Sequence, residues 1–271
     1  MSTVLYKPGV ADTDSNPSPN LWGDCPLFTA DRELSGYGFF DDFCQGPQVV
    51  AGAEAAYGNY RGFASTGGSA VPSTTAAGGV LVLSSDGDNE GASIRAGCPG
   101  FLITRDAKKF WMEARIKTST IADTKHGFLL GLLEDAALTA ILPIAADGTL
   151  ADNNLVGFHR LEGDGDYVNQ VYRANGVTQV TTKEDANVLV ADTWIKLGLV
   201  FNPANDYQGN ASYLQWFVNG LPLTDKKLIP NATGTDFPAD VTLAPVFAVL
   251  NATGSTPGNS SIDWWGAYQL R

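Results

Sequence analysis

Two carboxylates on one face of a strand are the residues that could most simply cleave a glycosidic bond, at about 5–5.5 Å for retention and further apart for inversion. Residues 110–118 carry Glu113, but Arg115 and Lys117 occupy the next alternate positions. That order favours a solvated face with cross-strand ion pairs. Glu134 and Asp135 stand at the end of an apolar run, where we expect a turn. The sequence therefore predicts no catalytic residues, and glycoside hydrolysis is the least favoured function.

Two acidic loops have the composition of calcium ligands. Residues 86–91 place acids at positions 1, 3 and 5 and glycine at position 6, but position 12 is Gly97 instead of a bidentate glutamate. Residues 162–166 hold three acids among glycines. We expect solvated turns at both places and no metal site.

Nucleophilic chemistry has little support. The nucleophile-elbow, zinc-protease and phosphate-loop motifs are absent from the sequence. His126 begins one apolar segment and His159 ends another, and a histidine at a strand end is more often bonded to backbone than used as a base. Cys25, Cys44 and Cys98 are odd in number and widely spaced, which favours reduced thiols, with a Cys25–Cys44 bridge as the alternative. We predict no enzyme and no cofactor.

Tryptophans within the apolar segments could instead stack against sugar rings. In strands, large aromatic side chains more often pack in the core, because each buries much apolar area. The sequence leaves open which of them are exposed: Trp111, Trp194, Trp216, Trp264 and Trp265.

The composition excludes several classes of protein. The 271 residues include 17 Lys and Arg against 29 Asp and Glu, for a net charge of −12. Non-specific nucleic-acid binding needs the opposite charge. No apolar run is long enough to cross a membrane, and the first residues lack a basic segment followed by an apolar one. We expect synthesis in a cytosol and neither a nucleic-acid nor a membrane partner.

Short apolar segments separated by Gly, Asn, Asp and Pro position all of these side chains. Residues 110–118 alternate apolar with polar, whereas residues 126–134 are apolar on both faces, as in a central strand. The Asn-Gly pairs at 175–176 and 219–220 predict tight hairpins. At least eight such strands, with two helical turns conceivable at 134–142, predict an all-β fold. The expected architecture is a two-sheet antiparallel β-sandwich.

The N-terminal residues 1–38 have a different composition. They are rich in proline and polar residues with scattered apolar side chains, and such a stretch builds neither helix nor central strand. We predict an extended arm over 1–38 and a sandwich domain over 39–271. The arm residues expected to contact a partner are Tyr6, Pro8, Pro19, Leu21 and Trp22.

The order of segments resembles a known fold family. Residues 39–43, 110–117 and 127–133 resemble the opening of concanavalin A-like (laminin G-like) sandwiches, and 192–201 and 214–220 resemble their continuation. The resemblance implies a concanavalin A-like jelly roll. This fold leaves the function open, because lectins, glycosidases and structural domains share it.

A narrower resemblance involves structural proteins of tailed bacteriophage particles. It is carried by residues 156–173, by 17–26 and by 243–250 with 262–265. It implies a non-enzymatic virion protein, a decoration (cement) protein on the capsid surface that is made in the host cytoplasm. Its partners would be the major capsid protein and further copies of itself, as a homo-oligomer such as a trimer. The alternative is a carbohydrate-binding, lectin-like module.

Overall fold

A computed structural model describes residues 15–26, 36–97, 100–104, 106–122, 126–134, 142–145, 148–161, 163–203, 211–228, 236–251, 254 and 257–271, with the backbone alone at 51, 53–55, 57 and 228. One short helix and fifteen strands form within these ranges. They are α1 (Pro19–Trp22), β1 (Gly36–Asp41), β2 (Val49–Tyr57), β3 (Tyr60–Pro72), β4 (Leu81–Ser85), β5 (Gly91–Ala96), β6 (Phe110–Thr118), β7 (His126–Glu134), β8 (Leu155–Arg160), β9 (Tyr167–Arg173), β10 (Val180–Val188), β11 (Ile195–Asn202), β12 (Tyr213–Val218), β13 (Leu221–Leu228), β14 (Leu243–Asn251) and β15 (Gly258–Leu270). No helix in these ranges is long and apolar enough to span a membrane.

All strand pairs are antiparallel and form two layers joined by one long strand. Sheet A runs in the order β10-β9-β8-β7-β14-β5 and ends on residues 60–64 of β3. Sheet B begins on residues 68–72 of the same strand and continues as β4-β15-β6-β11-β12-β13. Strand β1 pairs with the C-terminal half of β15, and β2 pairs with β3. Strand β3 belongs to both layers and connects them, and side chains from both layers pack in one core, which confirms the predicted two-sheet sandwich.

The core lies between the sheets and is filled by alternate side chains. From β7, Phe128, Leu130 and Leu132 point into it, as the twofold period of a strand requires. Leu129 and Leu133 lie on the opposite face of β7, where Leu142, Ile144 and Leu150 from the following loop cover them. Strand β7 is therefore apolar on both faces, as predicted. The part of 134–142 that could have been helical lies mostly outside the described residues.

The two Asn-Gly pairs behave differently. Asn219 and Gly220 both have positive φ, at 48° and 75°, and they join β12 to β13 through the two-residue turn that such a pair favours. At the other pair only Gly176 has positive φ, at 78°. Strands β9 and β10 still form a hairpin, but the connection is longer than the tight turn predicted there.

The described part of the N-terminal segment contains a turn of helix, contrary to expectation. Pro19 stands at the start of α1, where its fixed φ suits a helix and its missing N–H leaves no bond unmade. The helix places Leu21 and Trp22 on the outer face of sheet B, where each is 2% exposed. Strand β1 begins at Gly36, inside the range predicted as an arm.

Candidate functional site

A cleft of about 320 Å³ lies at one end of the sandwich, where three chain segments meet. The end of β1 supplies Phe39–Asp41, the turn from β2 to β3 supplies residues 58–60, and the end of β5 supplies residues 96–97. Gly58 takes a positive φ of 62° at the turn. The backbone N–H of Gly97 donates to the carbonyl of Asn59 at 2.7 Å, which fixes the turn against β5. This backbone hydrogen bond therefore holds two of the three segments that line the cleft together.

Aromatic rings form one side of this cleft. Phe40 is 41% exposed and stacks on Trp264 with ring centroids 5.5 Å apart. Phe39 packs edge-on against Trp265 at 5.7 Å, and Trp265 stacks on Tyr60 at 6.0 Å. Because successive side chains of a strand point to opposite faces, the Phe40–Trp264 pair and the Phe39–Trp265–Tyr60 cluster lie on opposite sides of β1.

The carboxylate of Asp41 lies on the same side of β1 as Phe39, beside Tyr60. Its Oδ1 accepts from the backbone N–H of Phe43 at 2.7 Å, and its Oδ2 accepts from the hydroxyl of Tyr60. Burial, together with the bond to Asp41, raises the pKa of Tyr60 far above its ordinary value, so the hydroxyl keeps its proton and donates. Asp41 is oriented, and the remaining lone pairs of its oxygens can accept from hydroxyl groups.

A second cavity, of about 340 Å³, lies against β8, β9 and β10. His159 lines it with its side chain 3% exposed, and its Nδ1 lies 3.1 Å from Oδ2 of Asp164. Burial opposes ionisation of Asp164, but the contact with His159 and the bond from the Leu161 N–H outweigh it and hold the pKa of that carboxyl below its ordinary value. Asn169 and Asp185 line the same cavity, and the Asp185 N–H donates to Asn169 Oδ1 at 2.8 Å.

His126 lies in the interior. The sequence predicted that its ring would bond to backbone, but the ring nitrogens bond to side chains instead. Its Nδ1 lies 3.0 Å from Asn251 Oδ1 and its Nε2 lies 2.8 Å from Ser260 Oγ. Burial lowers the pKa of His126 to about 4, so the ring is neutral at pH 7. All three side chains are 0% exposed. Because β7 belongs to sheet A and β15 to sheet B, the group joins the two layers.

The tryptophans mostly pack in the interior, which confirms the expectation for large aromatic side chains on strands. Trp111, Trp216, Trp264 and Trp265 are at most 4% exposed. Trp194 is half-buried, and its ring lies 4.5 Å from the Arg115 guanidinium and 5.1 Å from the Lys117 ammonium. With cations over its ring, Trp194 offers less free surface to a sugar than Phe40 does.

Glu113 is not on a solvated face, and this expectation was wrong. The side chain is 0% exposed because residues 15–26 lie across the outer face of sheet B. Its Oε2 accepts from the Ser18 N–H and from Trp22 Nε1, both at 2.9 Å. Burial raises the pKa of Glu113 above its ordinary value, although these two bonds and the charge of Lys196 oppose the rise. The expected ion pair does form at Arg115, whose Nη1 lies 2.6 Å from Asp263 Oδ2.

The arm residues predicted to contact a partner are only partly described. Pro19, Leu21 and Trp22 form α1, and the last two pack on the sandwich of their own chain. Tyr6 and Pro8 lie outside the described residues. The apolar character of Leu21 and Trp22 is therefore accounted for within one chain, and a partner contact of the arm stays a prediction.

The remaining candidates from the sequence are the two acidic loops, considered as calcium sites, and the cysteines. Residues 86–90 connect β4 to β5, and Glu90 Oε2 accepts from the Gly67 N–H at 2.9 Å. Residues 161–166 connect β8 to β9, with Glu162 outside the described residues. No three His, Cys, Asp or Glu side chains within the described ranges gather as a metal site would require. Cys25 and Cys44 are not joined in a disulfide, as favoured, while Cys98 is not described.

Comparison with known proteins identifies the fold. No family model matches the chain, and no curated protein matches its sequence. Among solved structures, an endo-1,3-beta-glucanase from Streptomyces sioyaensis has a TM-score of 0.57 at 12% identity, covering 86% of this chain and 95% of that one. A glycoside hydrolase family protein from Mycobacterium thermorestibile has 0.52 at 16%, covering 84% and 99%. A seed lectin from Lotus tetragonolobus has 0.50 at 11%, covering 87% and 99%.

The chain has the concanavalin A-like sandwich fold. Identities this low show the fold alone, so the function must be argued from the site itself.

Sequence reasoning missed the cleft. Residues 39–43 carried the fold resemblance, but neither Phe40 nor Asp41 was a candidate, and Asn59 stood in an unremarked turn. The signal that could have found the cleft is the pattern Phe-Phe-Asp-Asp at 39–42. Adjacent residues of a strand point to opposite faces, so one of the two phenylalanines must face away from the core.

Proposed function

We propose that this chain is a carbohydrate-binding protein whose ligand occupies the cleft at Phe40, Asp41 and Asn59. The observation that carries the proposal is one concavity whose lining includes two phenylalanines, Phe39 and the exposed Phe40, and the oriented carboxylate of Asp41. Sugars present C–H faces that pack on aromatic rings and hydroxyl groups that donate to carboxylates. Concave sites with an apolar wall and a few fixed polar groups are the usual form of small-ligand sites.

The fold is consistent with this proposal. A seed lectin and two glycoside hydrolases are among the solved structures of the same fold. The carboxylate arrangement favours binding over hydrolysis, because no strand in the described ranges carries acids at alternate positions of one face. A protein without catalytic activity therefore remains our proposal.

Capsid decoration stays a prediction with less support. It requires a virion location, the major capsid protein as a partner and a homo-oligomer, and no structural neighbour named above has such a role. Leu21 and Trp22, which were expected to grip a neighbour, are buried on their own sandwich. A glycan-binding protein carried on a particle would satisfy both predictions.

A glycan array followed by titration of the best ligand tests the proposal. Phe40→Ala should weaken binding about two- to tenfold, since an aromatic contact contributes about 0.5–1.5 kcal/mol. Leu221→Ala is the matched control, because Leu221 is 64% exposed and lies away from the cleft. An array without a bound glycan, or a titration in which Phe40→Ala binds as tightly as the control, would overturn the proposal.

A further inference from the structure

Residues 15–26, which we call the strap, contact the side chain on which Phe40 stacks. The indole Nε1 of Trp264 has one proton to donate, and the backbone carbonyl of Ser15 accepts it at 2.7 Å. Because Trp264 is 4% exposed, its N–H needs a partner within the protein, and the strap supplies it. The ring of the same tryptophan lies 5.5 Å from the ring of Phe40, between centroids. One side chain therefore links the strap to the exposed ring of the cleft.

A glycine on β15 brings the strap close to the Phe40 ring itself. Phe40 lies opposite Gly266 in the pairing of β1 with β15, and residues directly opposite each other point to the same face. A Cβ at Gly266 would stand 2.9 Å from Cδ2 of Phe40 and 3.6 Å from Cη2 of Trp22, so both rings occupy the space above this glycine. Trp22 therefore limits the positions that the Phe40 ring takes.

Glu113 holds the centre of the strap. Its Oε2 accepts from the Ser18 N–H and from Trp22 Nε1, both at 2.9 Å, and its side chain is 0% exposed. The residues paired with Glu113 on the two neighbouring strands are Gly198 and Gly266. No side chain of these two residues stands beside the carboxyl group, and the strap fills the space that they leave. Glu113 therefore fixes the backbone of the strap and the Trp22 ring together.

The contacts of the strap with Trp264 and with Glu113 are close together along the chain. Only two residues separate Ser15 from Ser18, so one short stretch of backbone makes both hydrogen bonds. A change that moves Ser18 away from Glu113 therefore also disturbs the bond from Trp264. The ring of Phe40 then loses a stacking partner that is held in one place.

We infer that the strap is a positioning element for the cleft: Trp22 and Trp264 hold the Phe40 ring, and Glu113 holds the strap. The inference rests on the proposed carbohydrate-binding function, because it concerns the same aromatic ring. None of the described residues that line the cleft belongs to the strap, so the effect on binding passes through Phe40. A ring that is already fixed loses less freedom when a ligand binds, and such preorganisation raises affinity.

Two substitutions at Ser18 test the anchor while the core between the sheets keeps its residues. Ser18→Pro removes the N–H that donates to Glu113, while the φ of −73° at this position already suits a proline. Ser18→Ala keeps the N–H and is the matched control. Chymotrypsin should cleave within the strap faster in Ser18→Pro than in Ser18→Ala. In NMR spectra recorded without ligand, the signals of the Trp264 indole N–H and the Phe40 ring should shift in Ser18→Pro and stay in place in Ser18→Ala.

Binding is measured on the full chain with the glycan that gives the strongest array signal for the wild type. Ser18→Pro should weaken binding about two- to fivefold, which lies within the range of about two- to tenfold for Phe40→Ala, because the strap acts through that ring. Ser18→Ala should bind as the wild type does. In the Phe40→Ala background, Ser18→Pro should cause no further loss, since contacts that depend on each other are not additive.

Four results would overturn the inference. They are equal cleavage of the two Ser18 variants, unchanged Trp264 and Phe40 signals in a strap that is cleaved faster, equal affinities of the two Ser18 variants, and a binding loss that is the same with and without the Phe40 ring. If Phe40→Ala binds the glycan as tightly as Leu221→Ala does, the proposed function fails instead. The NMR shifts in Ser18→Pro would then still show that the strap positions the ring.

Discussion

Replacing Trp22 by phenylalanine should destabilise the protein more than the same change at Trp111. Both indoles are buried, at 2% and 1% exposure, and each Nε1 donates to a carboxylate at 2.9 Å. The acceptor of Trp22 is Glu113, which is 0% exposed, whereas the acceptor of Trp111 is Asp24, whose side chain is 62% exposed. The two substitutions therefore remove the same atoms and differ mainly in the environment of the acceptor.

The magnitude follows from what each carboxylate does after the change. Water replaces the lost donor at Asp24. Glu113 retains only the Ser18 N–H on Oε2, and its Oε1 already has no hydrogen-bond partner. A buried acceptor left short of partners costs about 1–3 kcal/mol. Because the loss of ring volume is common to both variants, Trp22→Phe should be less stable than Trp111→Phe by about that amount.

Urea denaturation of the two variants and the wild type measures this difference. The midpoints should separate while the slopes stay equal, which shows that stability and not compactness has changed. Thermal unfolding should give the same order, at about 2–4 °C per kcal/mol for a domain of this size. Equal losses in the two variants would refute the burial of Glu113 beneath residues 15–26.

Two further predictions concern buried contacts of the interior and of the N-terminal segment. The pKa of His126 is about 4 in the folded protein against an ordinary 6.5. Between these pH values the unfolded chain binds a proton that the folded chain does not, so the unfolding free energy falls with the pH. As the pH falls from 7 to 4, the wild type should lose about 3 kcal/mol of this free energy relative to His126→Gln. Equal pH dependence of the two unfolding free energies would contradict this. A Cβ on Gly198 would stand 2.2 Å from Leu21 Cδ1, the end of a flexible side chain, so Gly198→Ala should make Leu21 turn aside and speed chymotrypsin cleavage within residues 15–26 only modestly. Gly87→Ala, whose Cβ would make only an ordinary contact, should leave the cleavage rate unchanged.

Local pattern was enough to predict the sandwich. Alternation over 110–118 and two-sided apolarity over 126–134 depend only on neighbouring residues, and both segments became strands, although residues 15–26 cover the face of the first that was expected to be solvated. The Asn-Gly turn at 219–220 formed because both residues can take positive φ. At 175–176 the same dipeptide gave a longer connection, since the strand ends and not the dipeptide alone set the length of a hairpin.

The sites depend on contacts distant in sequence, which a single sequence does not reveal. Glu113 looked solvated because its neighbours on β6 are basic, but residues 95 positions earlier bury it. The cleft needs Phe40 and Asn59 from different strands, and the acidic cavity needs a bulge in β10 that no residue type announces. The tryptophans that could have stacked against sugar rings are mostly buried, whereas Phe40, which was not a candidate, is 41% exposed.

The positions of the two cavities follow from how the sheet faces are covered. Leu142, Ile144 and Leu150 cover part of the outer face of sheet A, and residues 15–26 cover part of the outer face of sheet B. A ligand on either covered area would have to displace buried leucine or tryptophan side chains, and each such side chain contributes about 1.5–3 kcal/mol by its burial. The cleft at Phe40 and the cavity at His159 instead lie at strand ends and at an edge strand, where a small ligand enters without that loss. Binding at the margins of the sheets is therefore the arrangement that this version of the fold favours.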